Sequence, residues 1–158
     1  MGAFLLAVAL LPGVCYPPPL DAPIVDPFRA PACAQCAGNR GLEYATDPGT
    51  AVAAVAPGTV SFSGVVAGTR YVVVDQPDGY RATYGRLAAA TVALGSQVRA
   101  GAVVGTTTGA FYFGLRLGDD YVDPAPLLGR YRDRPRLVPV SGANRRAPPP
   151  PRLACAAG

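Results

Sequence analysis

Residues 70–87 read RYVVVDQ-PDG-YRATYGRL, two runs rich in β-branched and aromatic residues, Arg70–Gln76 and Tyr80–Leu87, around Pro77-Asp78-Gly79. The proline brings a fixed φ and the glycine a positive one, as a tight reversal requires, so the stretch predicts a β-hairpin. The same grammar continues on both sides. Val52–Val55 and Thr59–Val66 flank the turn Ala56-Pro57-Gly58, and Ala110–Leu117 and Tyr121-Val122 bracket Gly118-Asp119-Asp120. Pro23–Phe28 is a short strand candidate, and Gly95–Val104 a longer one punctuated by small residues. Beyond residue 14 no window sustains a 3.6-residue apolar period, so an antiparallel all-β domain is expected.

With 158 residues the chain holds one domain and little more. Half of it is hydrophobic, enough for a core, while 19 glycines and 18 prolines favour short elements joined by turns. Four stretches are expected: 1–14 as a signal peptide, 15–40 as an extended segment, 41–129 as the β domain, and 130–158 as a Pro/Arg-rich tail. The tail holds Leu137–Val140 and the polyproline run Ala147–Pro151. The net charge of +4 is concentrated there, since half of the arginines follow Leu128. A basic tail can meet an anionic polymer or simply stay solvated. The body shows no basic stripe interleaved with aromatics, which argues against nucleic acid as a partner.

Ala3–Val14 (AFLLAVALLPGV) is apolar over about the length of a secretory leader and too short to span a bilayer, although no basic residue precedes it. Val14 stands where a lipid anchor before Cys15 would want a small residue. An extracytoplasmic protein, secreted or at the cell envelope and with no membrane span in its mature form, is therefore expected. Cys15, Cys33, Cys36 and Cys155 then read as disulfides, for which three connectivities are open. Cys33 and Cys36 are close enough to bridge locally, which would leave Cys15 to staple Cys155. A four-cysteine zinc site is the rival, weakened by the wide spacing of two of its ligands.

In chain order, nine short pieces resemble the lysostaphin/LytM family of cell-wall zinc endopeptidases. Asn39-Arg40-Gly41-Leu42-Glu43 stands where that family has H-R-G-x-D. After it come Gly49–Val52, Ala56–Val60, Tyr71–Asp75, Thr83–Leu87, Gly95–Val98, Gly101–Gly105, Ala110–Gly114 and Tyr121–Pro124. The resemblance covers about Pro23 to Leu128. It implies a two-sheet, β-sandwich-like antiparallel core, and at the family's zinc-ligand positions it places Asn39, Glu43 and Tyr112. The two catalytic histidines correspond to Arg86 and Ala110.

The sequence contains no histidine. Catalytic zinc needs about three good protein ligands, and only Glu43 offers one. Asn39 has a weak amide oxygen, Tyr112 a phenol that must first lose a proton with pKa near 10, and Arg86 a permanent cation unfit as a base. The resemblance thus implies a degenerate member without metal, cofactor or family-type hydrolysis, partnered by peptidoglycan or a cell-wall hydrolase. Glu43 and Arg86 are expected either to pair in the vacated metal position or to face solvent separately. Arg81, Tyr84, Arg86, Tyr112 and Arg116 are candidates to line a peptide groove. Core packing competes for the aromatics, Phe111 and Phe113 included, and solvation competes for Arg81 and Arg116. An endopeptidase with an altered site and a purely structural secreted domain remain as alternatives.

Overall fold

In chain order the strands are β1 (Ile24–Asp26), β2 (Leu42–Ala45), β3 (Ala51–Ala53), β4 (Gly58–Val66), β5 (Thr69–Asp75), β6 (Tyr80–Ala90), β7 (Gln97–Val98), β8 (Val103–Leu117), β9 (Asp120–Val122), β10 (Arg130–Arg132) and β11 (Arg152–Ala154). This computed structural model describes residues 13–33, 35–134, 147 and 149–155. Among them the only helical element is a single 3-10 turn, Ala125–Leu127, and no helix is long and apolar enough to cross a membrane. The leader expected over 3–14 lies outside the described residues except for Gly13 and Val14, as does Leu137–Val140 of the tail.

The hairpin read first from the sequence is β5–β6. The Gly79 N–H donates to the Gln76 carbonyl at 3.1 Å, and the Gln76 N–H to the Tyr80 carbonyl at 2.8 Å. Gly79 takes φ 90°, the left-handed residue that closes a three-residue loop. All main-sheet pairings are antiparallel and run β1-β2-β8-β6-β5-β4-β7, with β3 and β9 also on β8. The strands of the expected layers are thereby laced into one hydrogen-bonded network.

The lacing depends on β8. Separate strands are predicted on either side of Gly105–Gly109, but one 15-residue strand forms. Thr106–Thr108 favour extended backbone and Gly109, at φ 113°, absorbs the bend. Only Gln97-Val98 of the predicted Gly95–Val104 strand forms β7, and its last two residues, Val103-Val104, open β8. Core side chains alternate along the strands: Leu42 and Tyr44, Val72 and Val74, Ala82 and Tyr84, Phe111, Phe113 and Leu115 are all buried.

Both ends of the domain are stitched together. Cys15 is bonded to Cys155, and Cys33 to Cys36, so the four sulfurs are used pairwise. The Tyr16 N–H donates to the Leu127 carbonyl and the Gly129 N–H to the Tyr16 carbonyl, each at 2.8 Å. The Tyr16 hydroxyl donates to the Asp78 carboxylate on the β5–β6 loop. Of the tail, β10 and β11 form a separate two-stranded ribbon.

Candidate functional site

Register places Glu43, Arg81, Tyr112 and Arg116 on one outward face of β5, β6, β8 and β2. Tyr71, Gly85, Tyr112 and Glu43 are successive cross-strand partners in one row. A parallel row runs Asp75, Arg81, Arg116 and Tyr121. Between them lie Val73, Thr83 and Gly114. The Tyr112 ring lies across bare backbone: a Cβ added at Gly114 would sit 2.6 Å from its hydroxyl, and one at Gly41 2.7 Å from Cζ. Glycine at these two positions lets the ring lie down.

Glu43 and Arg86 meet in this face, Nη2 donating to Oε1 at 2.8 Å. A β-bulge makes it possible. Strict alternation would turn residue 86 inward with Ala82 and Tyr84, but the register slips between Gly85 and Leu87. Arg86 takes φ 60°, a costly conformation for an arginine, and Leu87 returns to the core. Thr108, which sequence reasoning did not single out, donates to the Arg86 carbonyl at 3.2 Å and to that of Ala110 at 3.4 Å. Ala110 pairs with Ala45 and presents only a methyl group.

The family's zinc does not fit these donors. Asn39 is buried with its amide already engaged: Nδ2 donates to the Asp26 and Pro27 carbonyls at 3.2 and 3.1 Å, and Oδ1 accepts from the Gly41 N–H at 3.3 Å. The Glu43 carboxylate is held by a guanidinium, which repels a divalent cation. Burial pushes the Tyr112 phenol up to about 12, with Tyr121, Tyr71 and Glu43 adding to the rise and Arg40 opposing it, so it does not ionise near neutrality. Among the described residues no cluster of three His, Cys, Asp or Glu side chains could hold a metal ion.

The groove candidates divide. Arg81 is exposed and paired with Asp75 at 2.6 Å, a contact that holds the Asp75 carboxyl below the usual carboxylate range. Arg116 and Tyr112 line a cavity of about 350 Å³ together with Ser61, Phe62, Arg81 and Tyr121. Tyr84 is a correction: it is fully buried against Phe113, and its hydroxyl accepts the Val55 N–H at 2.9 Å. It belongs to the core because its parity on β6 is that of Ala82. Phe111 and Phe113 are likewise core.

Besides Thr108, Arg29, Asp26 and Tyr121 shape this region although sequence reasoning did not place them in the site. Arg29 holds the Asp26 carboxyl below its usual range through a direct salt bridge, beside Asn39. Tyr121 stacks under two guanidiniums. A roomier cavity of about 570 Å³ lies elsewhere, walled by Leu20, Ile24, Tyr44 and Tyr131, and its lining includes none of the family's site positions.

Residues 37–124 match the model of Peptidase family M23. An uncharacterised protein of Mycobacterium tuberculosis is 33% identical over 144 residues, covering 82% of this chain and 55% of its own. The murein hydrolase activator EnvC of Escherichia coli is 37% identical over 99 residues, 58% of this chain and 24% of EnvC. The chain thus spans about half the length, or less, of the curated relatives it matches. In structure it is similar to the catalytic domain of lysostaphin from Staphylococcus simulans, with TM-score 0.59 and 19% identity over 66% of this chain and 90% of that one. That likeness supports the fold, and the match over 37–124, which holds all five of the family's site positions and their strands, supports the assignment: the chain belongs to peptidase family M23.

Proposed function

We propose that this M23 domain acts at the cell envelope without a catalytic metal, binding the peptide part of peptidoglycan on the face where its family builds a hydrolytic centre. The observation that carries the reading is the Glu43–Arg86 pair. One good ligand position is taken by an internal cation, so neither a Lewis acid nor a low-pKa water is available there. Exposed tyrosine, arginine and phenylalanine side chains around Tyr112 suit an extended peptide. A second form of the reading, in which the domain regulates a wall hydrolase, is favoured by the similarity to EnvC, an activator by name. Export fits the two disulfides, which persist in oxidising compartments.

Purified protein should be retained on purified peptidoglycan at moderate salt, above a heat-denatured control, while releasing no peptide from it. Absence of retention would remove wall binding and leave only the regulatory form. Turnover of cross-linked wall peptides, abolished by a chelator, would instead support the altered-site endopeptidase.

A further inference from the structure

A cavity of about 540 Å³ opens between the Cys33–Cys36 loop and the β8–β9 turn. Its charged lining is two guanidiniums, Arg40 and Arg116, and two carboxylates, Asp119 and Asp120, with Phe28 and Tyr121 as apolar wall. Both guanidiniums stand against the Tyr121 ring, 5.5 and 5.0 Å from its centroid. Arg40 is steered there by donating to the Cys36 carbonyl at 3.4 Å. Arg116 reaches Asp119 only through long contacts, 3.4 Å to the carbonyl and 3.4 Å to Oδ1, and the Asp119 side chain is fully exposed. Its Nε is buried and donates to nothing among the described residues. The geometry therefore holds two cations against one aromatic ring without strong internal neutralisation of Arg116.

A purely anionic ligand would meet two carboxylates here, and a purely cationic one two guanidiniums. A group carrying both charges on one carbon satisfies both pairs. We propose that this cavity binds a zwitterionic amino-acid head group, its carboxylate toward Arg40 and Arg116 and its ammonium toward Asp119 and Asp120. Arg116 and Tyr121 also line the adjoining cavity beside Tyr112, which makes the pocket an end subsite of the peptide-binding face. The assignment deepens the function proposed above and rests on it for the identity of the rest of the ligand.

The test uses Nε-acetyl-lysine, an amino-acid head group on an acylated stem, in both enantiomers. Two blocked analogues lack the ammonium (Nα,Nε-diacetyl-lysine) or the carboxylate (Nε-acetyl-lysine amide). Amide-resolved NMR titration of the full chain should show saturable shifts centred on Arg116, Asp120 and Tyr121, weakened about tenfold or more by either block. Asp120→Asn, at an exposed side chain, and Arg116→Lys should weaken the unblocked probe similarly. Equal response to all three probes, shifts mapping elsewhere, or no response overturns the assignment. Retention on peptidoglycan without probe binding refutes the pocket alone. Probe binding without retention refutes the wall-peptide reading and leaves the pocket standing.

Discussion

Replacing Glu43 by Gln and Arg86 by Met, singly and together, tests whether the two side chains form a working pair. The donor–acceptor distance of 2.8 Å puts the charge centres about 4 Å apart, a separation at which attraction is ~1 kcal/mol in water and ~4 kcal/mol at an effective dielectric of 20. The side chains of Arg86 and Glu43 are 41% and 24% exposed, so solvent screening places the pair near the lower value. Urea denaturation with disulfides intact should therefore give a coupling of about 1 kcal/mol, shrinking as salt rises. A third variant separates backbone from charge: Arg86→Gly removes the pair but relieves φ 60°, and should be about 1 kcal/mol more stable than Arg86→Met. Additivity of the two single changes within about 0.3 kcal/mol would refute the pair, and equal stability of the Gly and Met variants would refute the strain.

Tyr84→Phe leaves the buried Val55 N–H without its acceptor and should cost about 1–3 kcal/mol in the same assay, with the fold unchanged by circular dichroism. Replacing Cys15 and Cys155 by Ala opens a cross-link of sequence separation 140 and should cost about 5 kcal/mol on the chain-entropy account; a loss of under about 1 kcal/mol would show that strands already hold the ends. Asp75, whose carboxyl is lowered chiefly by its hydrogen bond to Arg81, contributes stability above the ordinary carboxylate range and loses it as pH falls through its lower folded value. Arg81→Gln should accordingly flatten the acid limb of stability against pH by lowering stability slightly near pH 7, while changing little below the folded value of Asp75.

The sequence made the strands and the family positions legible, because both are local: hairpin residues sit next to one another, and Asn39–Glu43 or Thr83–Leu87 read as strings. What it hid was parity and register. A bulge at Arg86 turns Leu87 into the core where strict alternation would turn it out, and nothing in Tyr-Gly-Arg-Leu announces that. The same strand made Tyr84 look like a groove residue, whereas its partners Val72 and Phe113 place it in the core. Gly95–Val104 and Ala110–Leu117 read as separate strands, whereas Val103–Leu117 is continuous and Gly109 is a bend inside β8, since a glycine with positive φ can serve a turn or a bend. Tyr121 was visible as a strand residue, but its two guanidinium neighbours come from positions 81 and 5 residues away, and only the fold brings them together. Asn39 kept the family's place in the string and lost its role through hydrogen bonds to Asp26 and Pro27, which no spacing rule reveals.

Anomalous diffraction at the zinc edge, from crystals grown in excess zinc near neutral pH, examines the donor set itself. The expected map has no peak within bonding distance of Glu43, with the Arg86 guanidinium still against its carboxylate. A tetrahedral ion bound by Glu43 and Tyr112, with water on it and Arg86 turned away, would contradict the account at its root.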